Sequence, residues 1–243
     1  MHNVVKSSDI LVFVSDARMP ELSRNRRLEE LIARFNKHCV SVFTKIDLVS
    51  EEQLARLKEQ YPATIFVSGT RNIGLKQLKI KILIIGKRFG NPRPKIGIVG
   101  YPNVGKSAII NALAHRRRTA VSPKAGTTRG VQFVKAGSLK ILDTPGVIPA
   151  EDSEHKLALL AAKNPEKLKN PENIALDILN MMLQNNKPAL KAIYGIQPES
   201  EDAYELLLQI GNHRGFLKRG GAVDEVKTAL TIIRNWQRGK LRL

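Results

Sequence analysis

An α/β fold with a mostly parallel sheet, followed by a small all-helical domain, is what the apolar pattern of this chain predicts. Strand-like runs alternate with helical stretches through the first 150 residues, and apolar strands of this kind need helices on both faces of the sheet. The strands stop after Pro149, and four stretches of helical periodicity follow. A length of 243 residues accommodates one full α/β domain and a smaller second one. The expected boundaries are 1–150 and 151–243.

Taken in order, Ile10–Ser15 reads as a buried strand, and Leu28–Phe35 as a helix with Leu28, Leu31, Ile32 and Phe35 on one face. Val40–Thr44 is a strand, Glu51–Tyr61 a helix and Thr64–Val67 a strand. A helical stretch starts at Gly74, and the apolar run Ile80–Ile85, broken by Lys81, suits a buried strand or helix. Asn91-Pro92-Arg93-Pro94 is a break before the strand Lys95–Val99. A glycine-rich loop then leads into a helix through Leu113. Gly130–Lys135 and Ser138–Leu142 read as paired strands turning near Ala136-Gly137. The later helices are expected over Leu157–Lys163, Ile174–Leu183, Ala203–Ile210 and Val223–Arg238, with Pro165, Pro171, Pro188 and Pro198 between or before them.

Three motifs describe one nucleotide site. Gly100-Tyr101-Pro102-Asn103-Val104-Gly105-Lys106-Ser107, followed by Ala108, lies between a strand and a helix. Its glycines let backbone N–H groups, including those of Asn103, Val104, Gly105 and Ala108, face phosphates at the positive end of the helix. Lys106 is expected on the β- and γ-phosphates and Ser107 on Mg²⁺. Thr44-Lys45-Ile46-Asp47 closes an earlier strand. A carboxylate there accepts both hydrogen bonds from guanine N1 and its amino group, which makes Asp47 the specificity residue. Ser68-Gly69-Thr70, after the next strand, is placed to offer an N–H to the guanine oxygen, with Ser68 orienting Asp47; an ordinary strand-end turn is the other reading.

Two loops complete the set. Thr128, in Gly126-Thr127-Thr128-Arg129, offers a hydroxyl to Mg²⁺ when the γ-phosphate is present, the alternative being turn chemistry alone. In Asp143-Thr144-Pro145-Gly146, Asp143 would hold Mg²⁺ through water and the Gly146 N–H would meet the γ-phosphate, so that loss of that phosphate frees both loops. Asn103 offers a carbonyl to K⁺ beside the phosphates, or stabilises its own turn. The base motif precedes the phosphate loop, the reverse of the usual order, so the nucleotide-binding domain is circularly permuted. The chain leaves that domain just after Gly146. Val147 follows, where Ras-like enzymes carry a water-orienting glutamine, so intrinsic hydrolysis is expected to be slow.

The net charge of +18 is uneven: +16 over residues 1–150, −4 over 151–213 and +6 over 214–243. Such a balance points to a polyanion, the blander readings being a solvated lysine-rich face or adaptation to harsh growth conditions. With seven Phe, four Tyr and one Trp, backbone phosphate contact on structured RNA is expected rather than base stacking. Cys39 is the single cysteine, so a reducing compartment, the cytoplasm, is expected. No apolar run reaches membrane-spanning length, and no signal-peptide pattern is present.

The permuted order, together with Gly-Tyr-Pro-Asn-Val-Gly-Lys-Ser, Gly-Thr-Thr-Arg and Asp-Thr-Pro-Gly-Val, resembles circularly permuted GTPases. The nearest branch is that of ribosome biogenesis GTPase A and the nucleolar GTP-binding proteins. Asp16-Ala17-Arg18-Met19-Pro20 with Ser23-Arg24-Asn25 is similar to that family's Asp-Ala-Arg-x-Pro…Ser-Arg-Asn stretch. Gly211-Asn212-His213-Arg214-Gly215, Gly220-Gly221 and Arg238-Gly239-Lys240-Leu241 resemble its helical C-terminal domain. The resemblance implies a Ras-like P-loop domain that uses GTP, GDP and Mg²⁺, and a monomer that assembles the large ribosomal subunit through rRNA. Bacterial members carry a catalytic Phe-Pro-Gly-His segment before the first strand; it does not occur in this sequence, and His2 is too close to that strand to align. The catalytic residue therefore stays unknown, and an archaeal-type member is indicated. Ala125 stands where a proline often precedes the switch glycine. A GTP-gated RNA scaffold with negligible turnover and a small-subunit assembly GTPase are the alternatives.

Overall fold

A computed structural model describes residues 2–114, 132–136, 139–143 and 146–243. The chain divides into two compact units, Met1–Asp152 and Ser153–Leu243.

The first unit is built on a six-stranded sheet in the order β3-β2-β1-β4-β6-β5, with β1 Ile10–Asp16, β2 His38–Thr44, β3 Ile65–Phe66, β4 Lys95–Gly100, β5 Gln132–Ala136 and β6 Leu139–Asp143. All neighbours run parallel except the β5–β6 pair. β1 lies between β2 and β4 and is buried at every residue, as an uninterrupted Ile-Leu-Val-Phe-Val run requires of a strand covered on both faces. The helices are α1 His2–Ser7, α2 Arg26–Arg34, α3 Glu51–Gln60, α4 Leu75–Arg88 and α5 Lys106–Leu113. Side chains set two of their starts: Asn25 accepts from the Leu28 N–H and Ser50 from the Gln53 N–H. α1 was not expected, because six residues are too few to show a period. Its Val4 and Val5 pack with Leu11, Phe13, Leu28, Ile32 and Val99.

The second unit is helical: α6 Glu154–Leu159, α7 Pro171–Asn185, α8 Lys187–Tyr194, α9 Ala203–His213 and α10 Glu225–Gln237, with a short 3₁₀ turn at Pro165–Lys167. Two expectations need correction. The helix expected over Leu157–Lys163 starts earlier, because Ser153 caps it by accepting from the Lys156 N–H, and it ends at Leu159 ahead of Ala161, whose φ is 59°. Pro188, expected between helices or ahead of one, lies inside a helix that was not expected, α8. It sits in the first turn of α8, where proline's missing N–H costs nothing, after the Asn186 cap. Trp236 is fully buried and its Nε1 donates to the Leu159 carbonyl at 2.9 Å, joining α10 to α6.

Candidate nucleotide site

The parallel register brings the motif-bearing strand ends together. Asp16 at the end of β1 pairs with Thr44 at the end of β2, while Val14 pairs with Gly100 at the end of β4. Ligands of open α/β sheets bind at this carboxyl edge. From Gly100 the loop passes through Asn103, at φ 57°, to Gly105, which caps α5 at φ 105°. Asn tolerates the left-handed region, which suits this backbone position. Val104 is buried, Ser107 and Ala108 are half-buried in the first turn of α5, and that turn carries no acid to oppose an anion. Lys106 is 6% exposed, and its Nζ donates to the carbonyls of Gly100 at 3.2 Å and Tyr101 at 2.5 Å. Those acceptors hold the ammonium over the loop interior, where a phosphate would replace them.

The base motif is tied to this loop by Thr44. Its hydroxyl lies against the Ser15 carbonyl at 3.0 Å and the Val104 carbonyl, so it joins β1, β2 and the phosphate loop. Lys45 follows at φ 59° and opens a 3₁₀ turn over Ile46–Leu48, which places Asp47 beyond the strand end. The Asp47 side chain is 13% exposed; Arg71 Nε lies 3.9 Å from its Oδ2, and the Thr70 hydroxyl 3.5 Å from the same oxygen. Ser68 is fully buried and its Oγ lies 3.1 Å from Thr70 Oγ1, so Ser68 reaches Asp47 through Thr70. Gly69 lies against α5 so closely that a Cβ on it would come within 2.8 Å of Ala108. A side chain at that position would push the two motifs apart.

Gly146 rests on the same loop. A Cβ there would lie 2.3 Å from the Pro102 nitrogen. Its neighbour Val147 is fixed through its backbone: its N–H donates to the Gly100 carbonyl at 3.1 Å, and Asn25 Nδ2 donates to its carbonyl at 3.4 Å. Asp143 ends β6, the strand beside β4; its side chain, and Thr128 with the whole Gly126–Arg129 loop, lie outside the described residues.

One set of residues at the site was carried in the sequence only by resemblance. The Asp16 carboxylate, 1% exposed, accepts from Arg18 Nε at 3.2 Å and Nη2 at 2.9 Å, and from Lys45 Nζ at 2.7 Å. Burial pushes the Asp16 carboxyl upward, but Arg18 and Lys45 outweigh it and hold it well below the usual range. Burial lowers the Lys45 ammonium, partly offset by Asp16. Asp16 thereby fixes the lysine of the base motif. Ser23 accepts from the Asp16 N–H at 3.0 Å and donates to the Met19 carbonyl at 2.7 Å. A short polar motif closing an apolar strand was the one available signal.

The permuted strand order with a glycine-rich loop between β4 and α5 defines a circularly permuted P-loop GTP-binding fold. A family model described as 50S ribosome-binding GTPase matches residues 95–210. A GTP-binding protein of Methanocaldococcus jannaschii is 42% identical over 99% of this chain and 65% of its own length. Nucleolar GTP-binding protein 2 of Pneumocystis carinii is 30% identical over 99% of the chain and 52% of its own length. The chain thus spans between half and two thirds of these two relatives. Ribosome biogenesis GTPase A of Priestia megaterium is 32% identical over 98% of the chain and 88% of its own length. The GDP-bound structure of YlqF from Thermotoga maritima has the same fold, with a TM-score of 0.62 at 23% identity, covering 99% of this chain and 94% of that one. This chain belongs to the ribosome biogenesis GTPase A family of circularly permuted GTP-binding proteins.

Asp47→Asn is expected to weaken GTP binding by about 10- to 100-fold, the worth of hydrogen bonds to a charged acceptor, and to shift preference towards XTP. Competition between GTP and XTP for a fluorescent nucleotide checks this. Unchanged discrimination would remove Asp47 from the base contact.

Proposed function

We propose that the chain binds GTP with Mg²⁺, hydrolyses it slowly, and acts as an assembly factor for the large ribosomal subunit through rRNA contact. The observation that carries the nucleotide reading is the convergence, at one sheet edge, of the Lys106 loop and the Asp47 turn, joined by Thr44 and by the Gly69–Ala108 contact. The loop fits a triphosphate: a buried ammonium, donating to the Gly100 and Tyr101 carbonyls, lies at an α-helix N-terminus whose first turn carries no acid. Mg²⁺, when bound, would neutralise the phosphates, with Ser107, Thr128 and Asp143 as its holders. Asp47 selects guanine, and the Gly146 N–H meets the γ-phosphate.

The phosphate loop also reaches the end of the first unit. Tyr101 is fully buried, and its hydroxyl donates to Asp152 Oδ2 at 2.6 Å. Burial, and then the Asp152 carboxylate, push the phenol far above its ordinary value, so it remains a donor at any physiological pH. Asp152 is the last residue of that unit. Nucleotide state is thus relayed to the exit at 147–152, and from there to the helical domain, whose basic end from Arg214 to Arg242 docks on rRNA. Tyr101→Phe is expected to cost about 1 kcal/mol of stability and to abolish any nucleotide dependence of hydrogen exchange over residues 147–160. Retained dependence would place the relay elsewhere.

Multiple-turnover GTP hydrolysis, with and without purified large or small ribosomal subunits, tests the whole reading. Stimulation by the large subunit supports it. Stimulation by the small subunit alone, or no turnover with either, would replace it by the small-subunit or the scaffold reading.

A further inference from the structure

Between Gln60 and Leu142 the chain contains no Asp or Glu at all, yet 16 Lys and Arg. Helix α4 lies inside that stretch. Leu75, Leu78, Ile82 and Gly86 are its buried face, which packs against β1, β2 and α5. At about 100° per residue, set by 3.6 residues per turn, Lys76, Lys81, Lys87 and Arg88 fall on the opposite arc, and all four are exposed. They flank Ile80 and Ile84, which are 46% and 44% exposed on the same arc. Twelve steps of 1.5 Å from Lys76 to Arg88 make the row roughly 18 Å long. The chain then folds back, with the Asn91 N–H donating to the Gly86 carbonyl at 2.9 Å, and brings exposed Arg93 and Lys95 after the last turn.

None of these six cations forms an ion pair with a carboxylate among the described residues, and the other residues contribute no acid within that stretch. At the basic end of the helical unit two of the cations are engaged, Arg234 by Glu166 and Arg214 by the Ile193 carbonyl and the Tyr194 ring. Lys87 and Arg88 suit the negative end of the helix dipole, but Lys76 stands in the first turn, where that dipole opposes it.

We infer that the outer face of α4 is an RNA-docking surface on the GTP-binding unit itself, one that grips phosphates of structured RNA. The inference rests on the proposed rRNA contact and adds a location for it outside the helical domain. Protein interfaces deplete Lys at their centres, whereas phosphate contact concentrates it. A face with four exposed cations and single isoleucines between them therefore fits a phosphodiester backbone, with Ile80 and Ile84 against sugars.

The test is salt-dependent binding of deproteinised large-subunit rRNA by the full chain and by its Lys76→Gln/Lys81→Gln/Arg88→Gln variant. All three positions are exposed, and GDP affinity and thermal unfolding serve as folding controls. Each lost phosphate contact reduces the slope of log K against log salt by about 0.7–0.9, so the slope should become shallower by about 2 to 3, with affinity falling roughly tenfold or more at low salt. A variant with unchanged slope and affinity overturns the inference while leaving rRNA contact by the helical domain standing. Loss of binding to intact subunits with undiminished binding to naked rRNA would mean an acidic protein on this face, and also overturns it. A wild-type chain that fails to bind rRNA at all overturns both this inference and the function on which it rests.

Discussion

Replacing Asp16 by Asn is expected to destabilise the protein by about 3–5 kcal/mol, the cost of removing one partner from a buried ionic group. The carboxylate is 1% exposed and is shared by two cations, Arg18 at 2.9 Å and Lys45 at 2.7 Å. Asparagine would take from Arg18, itself 6% exposed, the carboxylate charge it faces at 2.9 Å. The effect should depend on pH with a definite sign. The folded-state pKa of Asp16 is depressed, so below the ordinary carboxylate value of about 3.9 the unfolded chain binds a proton that the native state refuses. The stabilisation is fully present above that value and is lost as pH falls below it towards the depressed one. Urea unfolding of both proteins between pH 3 and 7 reads this directly: the gap should be widest near neutrality and narrow below about pH 4. A gap under about 1 kcal/mol at neutral pH would show that the triad behaves as a surface pair. Guanine nucleotide affinity should fall as well, since Lys45 loses the acceptor that orients it.

Lys106→Ala should lower affinity for GTP and GDP by roughly 100-fold or more, about 3 kcal/mol, as expected for a charge-assisted contact in a partly desolvated site. The ammonium is already positioned, donating to the Gly100 and Tyr101 carbonyls from a 6% exposed side chain. Little ordering entropy remains to be lost on binding. Nucleotide stabilises a folded protein by about 2.7 kcal/mol when present at 100 times its dissociation constant. The wild-type chain should therefore gain thermal stability with GDP while the variant gains almost none. Equal affinity in titration calorimetry would remove the loop from the phosphate site.

The sequence revealed the parts of this site that repeat a spacing or need a backbone device. Long apolar runs marked β1 and β4, and the glycines and Lys106 marked the loop between β4 and α5. The order of the motifs alone implied the permutation that the strand order β3-β2-β1-β4-β6-β5 displays. What escaped were side-chain bonds between elements distant in sequence. The Asp16–Lys45 pair spans 29 residues and the Tyr101–Asp152 bond 51, and neither leaves a local pattern. Nothing in Thr-Lys-Ile-Asp hints at the Val104 carbonyl that the Thr44 hydroxyl meets. Helix α1 was missed because two buried valines in six residues carry no period, and α6 was placed too late because its start depends on the Ser153 cap rather than on apolar spacing.

The central claim is that GTP commits this protein to the large ribosomal subunit. Co-sedimentation with purified large and small subunits, in the presence of a non-hydrolysable GTP analogue or of GDP, tests it most directly. The account predicts association with the large subunit that depends on the analogue and is lost with GDP. Equal binding to both subunits, indifferent to nucleotide, would contradict it and reduce the +18 charge to a general attraction for RNA.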